Sequence, residues 1–380
     1  MAASTAGLLI GLTLTWLLHR YQHARVQLTP GAPAPAGGPL ISVIMPARNE
    51  AHNVGRSVPA LLAQTYPNLE IIVVDDKSTD ATPQVLAEIA ARNTRLVVVP
   101  GVPLPPGWRG KPHALAQGVA VAYGEWLCFI DADTFAGPEL LAAAYTAAMA
   151  HSADLFTILT NQRLGSFWEK VVMPVVLSGM AFGFPPDRVN DPRRPDAVAN
   201  GQFILIRRSV YDAVGGHAAL RGSLVEDKAL AENVKRAGYR LLLADGRALA
   251  DTRMYTSLAE MWEGWTKNMY LGLQDRLWLL FFGGFVSLLG ALALPAWLLA
   301  ALIWLARGGG APAAMVMVEA LALWAAVLYA RARVARGLGI SGWYALSLPL
   351  GAGIFGAMML TSTMRVVTGK GVAWKGRIYT

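Results

Sequence analysis

Three stretches in the last third of the chain limit its fold more than any other feature: WLLFFGGFVSLLGALALPAWLLAALIWLA (278–306), AAMVMVEALALWAAVLYA (313–330) and WYALSLPLGAGIFGAMMLTSTM (343–364). Each has about the ~20 apolar residues that a helix needs to cross a bilayer. Hydrocarbon offers the backbone no hydrogen-bond partner, so such runs must be helical. A shorter run, AGLLIGLTLTWLL (6–18), is followed by His19, Arg20, His23 and Arg25. A cleaved secretory signal carries its basic residues before the apolar run, so residues 1–25 are expected to be an uncleaved membrane anchor with its C-terminal side in the cytosol. A linker over 26–39, containing TPGAPAPAGGP, leads to an expected soluble domain at 40–275, and 276–380 is the C-terminal membrane region with a basic tail. A hydrophobic content of 54%, a charged content of 15% and a mean hydropathy of +0.39 fit this two-part plan.

The net charge of +8 resembles that of a nucleic-acid binder, but its distribution does not. From Arg276 onward there are nine basic residues against one acid, Glu319, while residues 1–275 balance at 24 against 24. The excess lies among apolar segments, where it orients helices and attracts anionic headgroups, so nucleic acid is not expected as a partner. The single cysteine, Cys128, excludes a disulfide framework and a cysteine metal site, and reads as a small buried hydrophobe.

The remaining sequence alternates strand and helix patterns. ISVIMPARNE is an apolar run ending at Pro46, followed by a helix pattern through Val54, Val58, Leu61 and Leu62. LEIIVVDDKSTDATPQVLAEIAAR is a strand ending in Asp75 and Asp76, a turn and a second helix; RLVVVP and EWLCFIDAD repeat the theme. Such alternation argues for an α/β fold with a mainly parallel sheet, whose ligands gather beyond the carboxyl ends of the strands. Asp75, Asp76, Asp131 and Asp133 fall at those ends. Two carboxylates one residue apart repel each other unless a divalent cation, carrying for example a nucleotide diphosphate, relieves them; solvated aspartates are the alternative.

The ordered elements SVIMPARNE, IIVVDDKSTDAT, LPPGWRGKPHALAQG, CFIDADT, ANGQFILIRRSVYDAVGGH, LVEDKALAENVKRAGYR and WKGRIY resemble family 2 glycosyltransferases of the GT-A fold. Within that family the PLPPGW.GK, VEDKAL and terminal WKGR.Y segments are most similar to the membrane-associated bacterial branch of chlorobactene-type carotenoid and hopanoid-associated glycosyltransferases. The resemblance implies a Rossmann-like nucleotide-sugar-binding domain with N- and C-terminal membrane helices. It implies an inverting enzyme that moves one hexose, glucose from UDP-glucose, to the hydroxyl of an isoprenoid lipid. The location implied is the bacterial inner membrane, multi-pass, with the catalytic domain in the cytoplasm. Pro46, Arg48 and Glu50 would line the nucleotide pocket, Asp76 would receive the base and ribose, and Lys111 would lie near the diphosphate. Asp133, helped by Asp131, would hold Mn²⁺ or Mg²⁺, and Asp227 matches the catalytic base. Glu226 and Asp227 also open a helix, where acids are stabilised by its dipole whatever their role.

Processive members carry Q-x-x-R-W after the base; here the region reads SLAEMWEGWTKNMYLGL. Trp262, Trp265 and Lys267 are candidates to contact acceptor or phosphate there, or form an interfacial belt. FWEKVVMPVVLSGMAFGFPP (167–186) suits a segment lying in the headgroup region, inside the soluble domain. The run 343–364, with Pro349, Gly351, Gly353 and Gly356, is expected to enter the membrane and turn back, because the basic tail favours the cytosol. The tail would then bring Trp374 and Arg377 near the acceptor or diphosphate. The histidines lie singly apart from His19 and His23, so zinc chemistry is unsupported; His113, beside Lys111, is a candidate phosphate contact. Other acceptors (diacylglycerol, polyprenyl phosphate, hopanoid, polysaccharide) and a non-catalytic nucleotide-sugar-binding protein are the alternatives, the last opposed by the joint presence of D-x-D and E-D.

Overall fold

The computed structural model describes residues 26–31, 37–223, 225–273, 277–369, 371–374 and 377–379. The expected N-terminal anchor lies outside them. In chain order the elements are β1 (Val26–Gln27), β2 (Ile41–Ala47), α1 (Ala51–Leu62), β3 (Leu69–Asp75), α2 (Thr82–Ala90), β4 (Leu96–Pro100), α3 (Gly110–Ala120), β5 (Trp126–Phe129), β6 (Thr134–Ala136), α4 (Leu140–Ala150), β7 (Leu155–Leu159) and β8 (Asn161–Gln162). There follow α5 (Phe167–Gly183), α6 (Pro186–Val189), β9 (Ile204–Arg207), α7 (Arg208–Ala213), α8 (Gly216–Ala219), α9 (Glu226–Arg236), β10 (Leu241–Asp245) and β11 (Ala250–Thr252). The last are α10 (Leu258–Leu273), α11 (Leu277–Ala306), α12 (Gly310–Gly337), a 3₁₀ turn (Gly342–Ser347), α13 (Leu348–Val367), β12 (Val372–Trp374) and β13 (Arg377–Tyr379).

These elements form two compact units. The α/β unit comprises Ala24–Arg163 and Phe184–Met254, and the helical unit includes Leu164–Gly183 and Tyr255–Thr380. The expected boundary at 275 is therefore corrected: α5 and α10 belong with the apolar helices. The reason is packing, since Val171, Val172, Met173 and Val176 of α5, and Met261, Trp265 and Met269 of α10, are buried.

In the α/β unit an eight-stranded sheet runs β1-β10-β7-β9-β5-β2-β3-β4. All neighbours are parallel except β5–β9 and β7–β9. The central strand β2 is apolar almost throughout because both its faces are covered. Val43 and Met45 point into one core with Val54 and Leu61 of α1 and Leu86 of α2; Ile44, on the opposite face, packs with Leu115 of α3 and Leu230 of α9. This three-layer arrangement sends the carboxyl ends of β2, β3 and β5 to one edge, where Ala47 pairs in register with Asp75. A small second sheet, β6-β11-β8, begins immediately after Asp133.

Among the described residues, four stretches are long and apolar enough to cross a membrane: Phe167–Val189, which runs past α5 into the α/β unit, Leu280–Ala306, Gly310–Gly337 and Gly342–Val367. The expected turn-back within 343–364 is not found. After the 3₁₀ turn, α13 is a continuous helix of 20 residues. Pro349 sits in its first turn, where no amide donor is needed. Gly356 serves a close helix crossing: a Cβ there would lie 2.8 Å from the Gly284 carbonyl of α11, and one on Gly284 would lie 3.1 Å from the Gly356 carbonyl. Small residues that let backbones approach are a common solution for membrane helices. Ser287 Oγ donates to the Ala352 carbonyl across the same pair at 2.8 Å. Strands β12 and β13 form an antiparallel hairpin that pairs Trp374 with Arg377 in register, and β12 lies along α10.

Candidate active site

The D-x-D aspartates lie in the link from β5 to β6, where the Thr134 amide donates to the Asp131 carbonyl at 3.1 Å and closes a turn. Asp131 and Asp133 are both partly exposed there. Lys111, in the first turn of α3, reaches this turn: its Nζ is 2.7 Å from Asp131 Oδ1 and 2.7 Å from Glu226 Oε1. Glu226 and Asp227 form the first turn of α9, and Glu226 is buried. Asp227 is fixed by two backbone donors, the Gly201 amide to Oδ2 at 2.9 Å and its neighbour Lys228's amide to Oδ1 at 2.7 Å. Gly201 lets these groups converge. A Cβ at that residue would meet Lys111 Nζ at 2.9 Å, Asp227 Oδ2 at 3.2 Å and Asp131 Oδ2 at 3.5 Å.

One lysine thus serves three carboxylates, and their proton affinities diverge. For Lys111, burial opposes the charge, but Asp131, Glu226 and Asp227 together hold the ammonium well above its usual range. Burial alone would raise Glu226, yet the contact with Lys111 holds its carboxyl below the ordinary value. Asp131 goes up, because burial outweighs the same lysine. Asp227 is pushed up to about 6 by burial and then by the charge of Glu226, against the pull of Lys111 and the two amides. A carboxylate tuned close to neutrality and partly open to solvent is suited to accept a proton at physiological pH.

His217 lines the same cleft, buried edge-on against Phe129 with ring centroids 4.8 Å apart. Its Nδ1 lies 2.8 Å from the Tyr211 hydroxyl, and burial pushes its pKa down to about 4, so the imidazole is neutral. Lying singly in the sequence, His217 has no ligand-like spacing to mark it. Its signal lay in the GGH of the quoted motif: Gly215 and Gly216 adopt φ of 82° and 51°, a left-handed turn that delivers the ring.

The nucleotide side of the expected set is assembled on the adjacent strand ends. Pro46 is the penultimate residue of β2, Arg48 follows that strand, and Arg48 Nη1 donates to the Asp76 carbonyl at 2.7 Å. Asp76 is buried. The two loops interlock: Asn49 Oδ1 accepts the Thr79 amide at 2.8 Å, and the Glu50 amide donates to Thr82 Oγ1 at 2.9 Å. Hence PARNE and DDKSTDAT act as one rigid rim.

Of the other expected residues, His113 and Trp265 are packed, and the rest belong to the helical unit. His113 is buried against Trp108, with Nδ1 3.2 Å from Gln117 Nε2, which does not suit an open phosphate contact. Trp262, Trp265 and Lys267 lie on α10 in the helical unit. Trp265 is buried and its Nε1 donates to Met173 Sδ at 3.4 Å, so its face is packed as core and cannot stack on a sugar. Trp374 and Arg377 fall in the β12–β13 hairpin of that same unit. Among the described residues no group of three His, Cys, Asp or Glu side chains is arranged to cage a metal.

Residues 42–215 match the model of the family described as Glycosyl transferase family 2. A curated relative, 4,4'-diaponeurosporenoate glycosyltransferase of Staphylococcus aureus strain USA300, is 29% identical over 265 residues, covering 66% of this chain and 68% of its own length. The corresponding protein of strain MRSA252 is 28% identical over 263 residues, with the same coverage. Among solved structures, the mannosyltransferase PcManGT from Pyrobaculum calidifontis, in complex with GDP-Man and Mn²⁺, aligns over 97% of this chain and 99% of its own. The TM-score is 0.54 and the identity 20%, a likeness of fold.

Proposed function

The chain is a member of glycosyltransferase family 2 with the GT-A fold, and on that premise we propose that it is an inverting enzyme moving one hexose from a UDP-sugar to an isoprenoid lipid of the carotenoid type. The observation that carries this reading is Asp227: raised to about 6, clamped by two amides and beside the D-x-D turn. In the reaction the acceptor hydroxyl attacks the anomeric carbon, the bond from that carbon to the diphosphate breaks, and the hydroxyl proton passes to the Asp227 carboxylate. The nucleoside diphosphate leaves. Pro46, Arg48, Glu50 and Asp76 form the nucleotide rim, and Lys111 exchanges one of its carboxylates for a phosphate oxygen.

A divalent cation fits the residues present. The carboxylates around Lys111 outnumber it three to one, and Asp131 and Asp133 offer hard oxygen donors at the cleft's open side. Mn²⁺ or Mg²⁺ is commonly held by one or two carboxylates plus substrate phosphates, consistent with the lack of a protein cage among the described residues. Bound there, it would neutralise charge on the departing diphosphate. PcManGT, a fold neighbour, holds GDP-Man and Mn²⁺, which supports a nucleotide sugar and a metal. The S. aureus relatives are named for diaponeurosporenoate, which supports the lipid acceptor. The four apolar stretches support a multi-pass membrane enzyme, and the basic residues after the first apolar run support a cytoplasmic catalytic unit.

The relatives' name denotes a carboxylate, and this favours a second reading in which the acceptor is an isoprenoid carboxylate. Such an acceptor attacks already deprotonated, leaving Asp227 to orient it. Membranes containing the full chain, given radiolabelled UDP-glucose and either a carotenoid alcohol or a carotenoid acid, test both. Label in the organic phase with the alcohol supports the first reading; label with the acid alone supports the second. Label with neither, but with diacylglycerol or polyprenyl phosphate, overturns the isoprenoid acceptor.

A further inference from the structure

Arg331 sits in α12, a helix long and apolar enough to cross a membrane, and is only 5% exposed. Its Nη2 lies 3.5 Å from the Val171 carbonyl of α5, a long contact, while Nε and Nη1 are buried with no hydrogen-bond partner. No carboxylate among the described residues forms an ion pair with it. Removing a guanidinium from water without an anion is costly, and an ionisable group within an apolar helix bundle ordinarily marks a functional site. A ligand from outside the chain would resolve the deficit.

The surroundings identify the chemistry. Residue 170, preceding the Val171 carbonyl, is Lys170, whose Nζ lies 5.8 Å from the centroid of the Tyr344 ring in the 3₁₀ turn. Arg336, five residues beyond Arg331 on α12, rests on that turn too, since a Cβ on Gly342 would meet its Nε at 3.3 Å. Around this basic group lie Phe167, 6.2 Å from Tyr344 and 5.2 Å from Trp168, and Trp343, which is 80% exposed. Basic and aromatic side chains together at the end of an apolar helix mark the headgroup level of a bilayer. Guanidinium groups bind phosphate oxygens with strong, charge-assisted hydrogen bonds.

We propose that the junction of α5, α12 and the 3₁₀ turn binds the phosphate of a membrane phospholipid, with Arg331 as the buried donor and Lys170 and Arg336 at the rim. None of its residues belongs to the catalytic set, and it gives the enzyme a resident lipid. The test follows thermal unfolding of the full chain in neutral detergent by intrinsic fluorescence. The additions are phosphatidylglycerol, diacylglycerol with the same acyl chains, or inorganic phosphate. Phosphatidylglycerol is expected to raise Tm by about 3–6 °C, and the other two to leave it within error. Arg331→Met should abolish the increment and Arg331→Lys retain part of it. An equal increment in Arg331→Met, or from diacylglycerol, overturns the site; an equal increment from inorganic phosphate overturns the lipid as its source. If Arg331→Met does not fold, the exposed Arg336→Gln reads the same cluster: the increment should fall by about half, and an unchanged increment overturns the proposal.

Discussion

Glu226 and Lys111 push the Asp227 carboxyl in opposite directions, so removing each should move the acid limb of catalysis in opposite directions. Asp227 stands at about 6 against a model-peptide value of 3.8, with burial the larger cause and Glu226 the second. A base works when deprotonated, so kcat/KM should rise with pH and level off above the folded pKa; at pH 5 the wild type should retain about a tenth of its plateau. Glu226→Gln removes the like charge and leaves Lys111 more available to Asp227. The limb should drop by about half to one pH unit, corresponding to about 0.7–1.4 kcal/mol. Lys111→Met removes the opposing cation, and the limb should rise by at least as much. The assay is transfer of labelled hexose into organic-extractable lipid from pH 4.5 to 8.5 under subsaturating donor, with plateau rates compared separately. Shifts in the same direction, or a limb that stays put in both variants, would refute the assignment of the titrating base to Asp227.

Asp227→Asn keeps the side chain's shape but cannot take up a proton, so turnover should fall by roughly 10² or more while UDP binding by calorimetry persists. The amide NH2 must face one of the two clamping N–H donors, a cost that does not vary with pH; relative to wild type, the variant's stability should therefore improve by about 1–3 kcal/mol between pH 4 and pH 7.5, because a carboxyl with a raised pKa loses its stabilising contribution as pH rises through about 6 and the amide does not titrate. Chelation should abolish transfer, and Asp133→Ala should lose calorimetric Mn²⁺ binding in the presence of UDP; unchanged binding would move the metal away from the D-x-D turn. Gly201→Ala introduces a Cβ 2.9 Å from Lys111 Nζ and 3.2 Å from Asp227 Oδ2. It should cut kcat/KM about tenfold or more with little loss of Tm. Gly356→Leu should destabilise the helical unit by about 1–3 kcal/mol, whereas Gly290→Leu, with nothing within 4 Å of its Cβ, should not; equal effects would refute the close crossing.

The parallel α/β sheet was legible because strand and helix periods are local: apolar runs such as IIVV, ended by turn residues, specify buried strands wherever they lie. The acids at those strand ends were legible for the same reason, since the end of a strand is the end of its pattern. The membrane-length helices followed from length and hydropathy alone. Convergence across the chain was not legible. Lys111, Asp131, Gly201 and Glu226 come from four separate elements, and no spacing in the sequence encodes the 2.7 Å contacts that join them. His217 was hidden because a lone histidine carries no spacing of its own, and its local sign is confined to the two glycines before it. The misreadings have the same origin. Pro349 and the glycines of α13 signal a break when read along one helix, yet Gly356 is small because the Gly284 carbonyl lies against it. Trp265 reads as a binding face until Met173, 92 residues away in sequence, closes over it. Local backbone preference and hydropathy, being properties of neighbours in sequence, were determined by the chain itself; which charges share a lysine and which small residues face each other were decided only when distant segments packed together.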